Sequence, residues 1–115
     1  MSFTRFNKVQ KKFNAEISDN ATFITLKELF NNDDTDVYKI EMFFINKKSK
    51  FGEHYVVYTG DYLVDMPQHL NSSFDEIYHD DTAVDEINNG KAGFTIYKYT
   101  KNHKEYYSIT FVDYK

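Results

Sequence analysis

The sequence contains no cysteine and no tryptophan, and it has only one proline and four glycines among its 115 residues. The lack of cysteine excludes a disulfide scaffold, a thiolate nucleophile and any zinc or iron–sulfur site with cysteine ligands. Apolar runs are short, as at residues 42–45, whereas a membrane-spanning helix needs about 20 apolar residues. The N-terminus lacks the apolar stretch of a secretory signal. These absences predict a cytoplasmic protein without a membrane partner.

Aromatic residues are abundant instead, since ten Tyr and eleven Phe make up 18% of the chain. So much ring area can offset the entropy lost on folding, which excludes a disordered chain. The length fits one compact core and leaves no room for a second. We predict one domain over residues 1–115, with a basic N-terminal arm at residues 1–12.

The net charge of −4 is distributed unevenly along the chain. All Lys and Arg residues lie outside residues 61–90, whose eight acids are Asp61, Asp65, Asp75, Glu76, Asp80, Asp81, Asp85 and Glu86. Local surface potential, and not total charge, steers a charged partner. The overall acidity therefore does not exclude a polyanionic ligand.

Alternation of apolar and polar residues predicts the strands. The clearest are at residues 37–46, 53–59, 91–100 and 105–113, and residues 13–30 are interpreted as one long bent strand or a tight hairpin. Within residues 61–90, Leu70, Phe74, Ile77 and Tyr78 recur at helical spacing, and Gly90 can end the helix in the left-handed conformation. A basic turn is predicted at residues 101–104.

The order of these elements is strand, strand, strand, helix, strand, strand. This order predicts a mainly β protein, a five-stranded Greek-key barrel of the oligonucleotide-binding (OB) type with a short helix between strands 3 and 4. Closure of the sheet would also remove exposed strand edges, which invite aggregation. The alternative is an open antiparallel sheet with the helix packed on one face.

Catalytic signatures are scarce in this sequence. The four glycines are scattered, so no phosphate-binding loop exists, and the four histidines lack the paired spacing of a zinc site. We predict a protein that is not an enzyme and that needs no cofactor or metal. A small magnesium-dependent nuclease built on Asp61, Asp65, His79 and Asp80 is a weaker alternative.

Aromatic residues interleaved with basic ones indicate a binding surface. Sequence-tolerant binding of single-stranded nucleic acid needs cations along the phosphates and flat rings on which bases stack. Two segments offer both, the loop at residues 47–52 and the hairpin at residues 97–106. The predicted binding residues are Lys39, Phe43, Lys47, Lys48, Lys50, Phe51, Tyr55, Tyr97, Lys98, Tyr99, Lys101 and Tyr106.

Several of these residues also have a purely structural interpretation. Phe51 can fold back as a lid on the end of a barrel, and the tyrosines can reflect β-propensity alone. Phe43 falls on the strand face opposite Ile40 and Met42, so it must be exposed, covered by the helix or arm, or buried against another subunit. The acidic residues 61–90 can be an ordinary solvated helix face or a surface that repels nucleic acid or docks basic proteins.

Four segments give the chain a family resemblance. They are Asn46-Lys-Lys-Ser-Lys-Phe-Gly52, Met66-Pro-Gln-His-Leu70, Glu86-Ile-Asn-Asn-Gly-Lys-Ala-Gly-Phe94 and Tyr107-Ser-Ile-Thr-Phe-Val-Asp113. With these segments the chain resembles the small single-stranded DNA-binding proteins of phages that infect lactococci and related Gram-positive bacteria. The resemblance covers most of residues 37–113.

The resemblance implies an OB fold that coats single-stranded DNA during phage replication and recombination, in the host cytoplasm. It also implies a homodimer and cooperation with a phage annealing protein and a host strand-exchange recombinase. The alternative function is an acidic protein-interaction module, an inhibitor or DNA mimic that acts on a host DNA-binding protein. In that case residues 61–90 would imitate phosphates.

Overall fold

A computed structural model describes residues 13–33, 35–47 and 52–114. Seven strands and three α-helices form in this part of the chain. The strands are β1 (Thr22–Thr25), β2 (Tyr38–Lys39), β3 (Met42–Asn46), β4 (His54–Tyr58), β5 (Tyr62–Asp65), β6 (Ala92–Lys101) and β7 (Lys104–Asp113). The helices are α1 (Leu26–Asn32), α2 (Asn71–Tyr78) and α3 (Asp81–Asn88), and a 3-10 turn at Gln68–Leu70 precedes α2.

The strands form two sheets, which confirms the mainly β prediction. One sheet has the order β1-β5-β4-β3, and the other has the order β2-β6-β7. All pairs are antiparallel except β1 with β5. Within the described residues the sheets do not close into a barrel, because β5 pairs with β1 and not with β7.

A bend between β2 and β3 joins the two sheets. The backbone N–H of Ile40 donates to Ala92 at the start of β6, and the N–H of Glu41 donates to Tyr58 at the end of β4. Residues 37–46 were predicted as one strand, and this segment instead pairs with a different sheet on each side of the bend. Gly93 allows the close pairing of β2 with β6, since a Cβ there would lie 2.7 Å from the carbonyl oxygen of Tyr38.

The first part of the chain differs from the prediction. A bent strand was expected over residues 13–30, but only β1 is a strand and α1 follows it directly. Thr25 and Glu28 form a capping box, which satisfies backbone N–H groups that a helix start leaves without partners. Leu26 and Leu29, three residues apart, bury one face of α1. The capping signal and this spacing therefore outweigh the β-propensity of the neighbouring residues.

The helical prediction within residues 61–90 is confirmed for α2 and α3. Phe74 is fully buried, and Gly90 ends α3 with φ +72°. Asp80 caps α3, because its Oδ1 accepts from the N–H groups of Thr82 and Ala83. The strand β5 was not predicted; its buried Leu63 and Val64 precede the predicted helix within residues 61–90.

The main core lies between the sheets and is covered by α2 and α3. It includes Phe43, Phe74 and Phe94, which are at most 2% exposed. Helix α1 contributes Leu26 and Leu29 to the same core, and the ring of its Phe30 contacts that of Tyr107 on β7 at 5.5 Å. No helix in the described part of the chain is long and apolar enough to cross a membrane.

Candidate functional site

The β6–β7 hairpin carries an exposed row of tyrosines. Tyr99 and Tyr106 lie directly opposite each other in the register, and their rings stack with centroids 5.5 Å apart. Tyr97, two residues before Tyr99 and so on the same face of the strand, has its ring 5.9 Å from that of Tyr99. Tyr97 is 44% exposed and Tyr106 is 40% exposed. We call Tyr97, Tyr99 and Tyr106 the tyrosine ladder.

The ladder leads to a basic turn at the tip of the hairpin. Lys101 and Lys104 are exposed and form the last pair of the register. Their side chains therefore project from the same face of the hairpin as the ladder. Asn102 and His103 have φ values of 53° and 67°, as in the two-residue type I′ turn that suits the twist of a hairpin. The predicted basic turn is therefore confirmed, and it ends the ladder with two cations.

Lys98 lies on the opposite face of the hairpin. Its register partner is Tyr107, and its Nζ lies 3.8 Å from a carboxylate oxygen of Glu105. Both side chains are about half exposed, so this ion pair contributes little to stability. Lys98 can reach a phosphate that passes the edge of the hairpin, but it does not extend the ladder.

Two predicted stacking residues lie in the core. Phe43 is 2% exposed, and its ring contacts those of Phe13 and Phe74 at 4.9 Å and 5.0 Å. The prediction that Phe43 offers its ring to a base does not fit this buried position, because α2 and Phe13 cover the ring. The alternation from Val37 indicated an outward Phe43, but the bend between β2 and β3 changes which side chains face the core.

Tyr55 is the second of these residues, with 7% of its surface exposed. Its hydroxyl donates to Oδ1 of Asp75 on α2, and its ring contacts Phe74. Burial, reinforced by the Asp75 carboxylate, raises the pKa of Tyr55 well above its usual value. Tyr55 therefore connects β4 to α2 and is not part of the candidate surface.

The predicted lysines outside the hairpin do not extend the ladder. Lys39 is paired with Glu41 at 3.1 Å and stands opposite Gly93 in the register. Gly93 is eight residues from Lys101 along β6, or roughly 26 Å in a strand, so Lys39 lies far from the basic tip. Lys47 is exposed and directly follows β3. Lys48, Lys50 and Phe51 lie outside the described residues.

A groove that sequence reasoning did not predict begins beside the ladder. It has a volume of about 350 Å³ and runs between the hairpin and the junction of β1 with α1. Tyr99 and Tyr106 form part of its wall, and Lys27 and Asp65 also line it. His69, also in the groove, contacts the hydroxyl of Ser108 at 3.1 Å. His69 falls in one of the resemblance segments, but no pattern in the sequence connects it with Lys27 or Asp65.

The groove lies at the same end of the four-stranded sheet as the β3–β4 loop. Asn46, the residue before Lys47, is paired with His54, and the ring of His54 contacts Asp65 in the groove at 3.0 Å. Strands in a sheet are about 4.8 Å apart, so this loop starts within a few strand widths of the groove. The structure therefore brings Lys47, the groove and the tyrosine ladder toward one end of the molecule.

Comparisons with family models, with curated proteins and with solved structures find no match for this chain.

Proposed function

We propose that this protein binds single-stranded DNA in a sequence-tolerant way and is not an enzyme. One observation carries the proposal: three tyrosines, two of them at least 40% exposed, form a row of contacting rings on a hairpin that ends in two exposed lysines. Rings in the core stabilise a fold by burial, whereas these rings are left in contact with water. Exposed rings can stack with the bases of a strand, and the lysines that follow them can neutralise its phosphates.

The physical chemistry of single strands supports this assignment. Each base that stacks on an aromatic side chain contributes about 1–3 kcal/mol, whatever the base, because every base has a flat apolar face. Lysine ammonium groups neutralise phosphates and release counterions, which adds affinity without sequence preference. Duplex DNA has its bases already stacked, so the ladder favours unpaired strands.

The strand connections support an OB-type fold as part of the proposal. The bent segment β2–β3 pairs with both β4 and β6, β4 continues to β5, and the helices lie between β5 and the β6–β7 hairpin. These connections are compatible with an OB fold that is opened where β1 occupies the edge of β5. In OB folds the loop after the first strand and the loop between the last two strands flank the bound strand. Here the corresponding connections are the one that follows β3, which begins at Lys47, and the turn at residues 102–103.

The test is a fluorescence titration of the full chain with a labelled oligothymidylate at moderate salt. We expect micromolar or tighter binding, and Tyr106→Ala should weaken it by about tenfold. Phe23→Ala is the matched control, because Phe23 is 60% exposed but lies on β1, outside the ladder. Absence of binding at low salt, or an equal loss in both variants, would refute the proposal.

The salt dependence tests the lysines separately. Replacing Lys101 and Lys104 with Gln should lower the log–log slope of affinity against salt by about 0.7 for each lost phosphate contact. Lys91→Gln is the control, since Lys91 is exposed at the opposite end of β6. If the slope of the double variant equals that of the control, the hairpin tip does not contact phosphates.

A second candidate function rests on a different surface. All six acids of α2, α3 and the residue that caps α3 are exposed, namely Asp75, Glu76, Asp80, Asp81, Asp85 and Glu86. Such a surface fits a basic partner protein, as in the alternative of an interaction module or DNA mimic. If the titration detects no DNA binding, this second function is the one to pursue. The sequence resemblance suggests phage DNA replication and recombination as the setting of the first.

A further inference from the structure

The groove beside the tyrosine ladder has the composition of a small-molecule site. Its volume of about 350 Å³ lies at the lower end of the range for small-ligand sites, about 300–1,000 Å³. Three tyrosines line it, Tyr99 and Tyr106 from the ladder face of the hairpin and Tyr107 from the opposite face, and the buried residues Leu26 and Met66 line it as well. Flat rings and an apolar lining suit a planar ligand.

Charged groups stand at defined places in this groove. Two acidic residues line it, Asp65 from β5 and Glu105 from β7, together with Lys27 from α1. The ring Nε2 of His54 holds Oδ1 of Asp65 at 3.0 Å, and the side chain of Lys98 lies 3.8 Å from that of Glu105. The groove therefore presents two carboxylates, with Lys27 on the α1 side and the imidazole of His69 also in the lining.

These charges determine which part of a DNA strand can enter. Carboxylates repel phosphates, so the backbone of the strand avoids the groove and remains with the lysines of the hairpin tip. A base is uncharged and can enter edge first. Tyr99 and Tyr106 belong to both the ladder and the groove lining, so a strand stacked on the ladder would have its next base beside the groove.

We propose that the groove receives one base of the bound strand and prefers cytosine to thymine, an inference that rests on the proposed function. Cytosine presents its N4 amino group as a donor, which a carboxylate of Asp or Glu accepts, and it presents N3 and O2 as acceptors for an ammonium group. Thymine presents carbonyl oxygens on both sides of its single N–H, and these face the carboxylates unfavourably. The ladder tolerates any base, and the groove adds a preference at one position.

The experiment compares two labelled oligonucleotides, dC12 and dT12, on the full chain at about pH 8, where cytosine is unprotonated. Discrimination by one hydrogen-bonded base contact predicts that wild type binds dC12 about fivefold or more tightly than dT12. The double variant Asp65→Asn, Glu105→Gln should bring the ratio of affinities close to one. Both oligonucleotides carry the same phosphates, so the ratio cancels the general gain in affinity from removing two negative charges.

Two control variants separate the groove from general effects. Asp81→Asn removes an exposed carboxylate at the start of α3, outside the groove, and should leave the ratio unchanged. Tyr97→Ala should weaken binding of both oligonucleotides equally, because Tyr97 belongs to the ladder and does not line the groove. A single cooperative urea unfolding transition, measured for each variant, shows that the fold is intact.

The outcomes distinguish this inference from the proposed function. Equal affinities of wild type for dC12 and dT12 overturn the cytosine preference and leave the binding function standing. A preference that survives in the double variant also overturns the inference, because the carboxylates would then not be its source. Absence of binding to both oligonucleotides overturns the proposed function itself and the inference with it.

Discussion

Replacement of Phe43 tests where the structure places the most unexpected aromatic residue of the chain. The ring is 2% exposed and contacts four other rings, those of Phe13, Phe74, Tyr55 and Tyr78, at centroid distances of 4.9, 5.0, 5.5 and 6.3 Å. It joins β3 to α2 and to the chain that precedes β1. A role in stacking DNA bases would need the opposite, a ring open to water.

The magnitude follows from these contacts. Truncation of a buried Phe to Ala costs about 3–5 kcal/mol, and the loss of aromatic pairs favours the upper end of this range. A small domain has a total stability of about 5–15 kcal/mol, so Phe43→Ala leaves little margin for folding. Phe43→Leu keeps most of the apolar volume, and we expect it to lower the free energy of unfolding by about 1–2 kcal/mol.

The assay is urea unfolding followed by the DNA titration on the same samples. Phe43→Leu should unfold at a lower urea concentration with an unchanged m-value, and its DNA affinity under native conditions should equal that of wild type. Tyr106→Leu is the matched control: it should lose less than about 1 kcal/mol of stability but bind DNA more weakly. An unchanged urea midpoint with weaker DNA binding for Phe43→Leu would show that the ring lies on the binding surface.

Three further predictions concern stability. Asp80→Ala removes the cap of α3 and should lower the free energy of unfolding by about 0.5–2 kcal/mol in a urea titration, whereas Asp80→Asn should retain most of it. Burial and the nearby Asp33 raise the pKa of Tyr38 to about 12 from an ordinary value of 10.0. The folded state thus holds this proton more tightly, so stability is unaffected below pH 10 and falls as the pH rises toward 12, by at most about 1.4 kcal/mol per pH unit from this group. Urea midpoints at several alkaline pH values should show this decline, and Tyr38→Phe should make it shallower. His103→Gly removes a non-glycine residue from a left-handed position in the hairpin turn and completes the favoured Asn-Gly pair with Asn102. The free energy of unfolding, measured by thermal unfolding, should therefore increase by about 0.5–1 kcal/mol. A decrease would contradict the turn assignment.

Local features of the chain could be predicted where a repeating pattern and a terminating signal coincide. The β6–β7 hairpin shows period-two alternation on both sides of a polar turn, and its predicted faces agree with the buried Phe94 and the exposed Tyr97. The α2 helix shows the same agreement through its stripe at Phe74. The failures occurred where two signals competed, as in α1, where the capping box of Thr25 and Glu28 lies within a run of residues with high β-propensity.

The sequence predicted one part of the candidate site, the tyrosine ladder, but not the groove beside it. The tyrosines of the ladder were predicted because they are neighbours along a hairpin, and a hairpin register depends only on local sequence. The groove combines Lys27, Asp65 and Glu105 from three distant parts of the chain. No pattern within one segment indicates such a meeting, so the groove could be found only in the folded structure.

By itself, the amino-acid sequence determined the mainly β character, the helical insert and the hairpin that carries exposed tyrosines and lysines. Only the tertiary structure decided that Phe43 and Tyr55 are core residues, that β1 occupies the edge of β5, and that the sheets remain open in the described part of the chain. The alternation of apolar and polar residues predicts which side chains share a face of a strand, because successive side chains point to opposite faces. Which face is covered depends on the packing of distant elements, and here a bend between two sheets reversed the expected side.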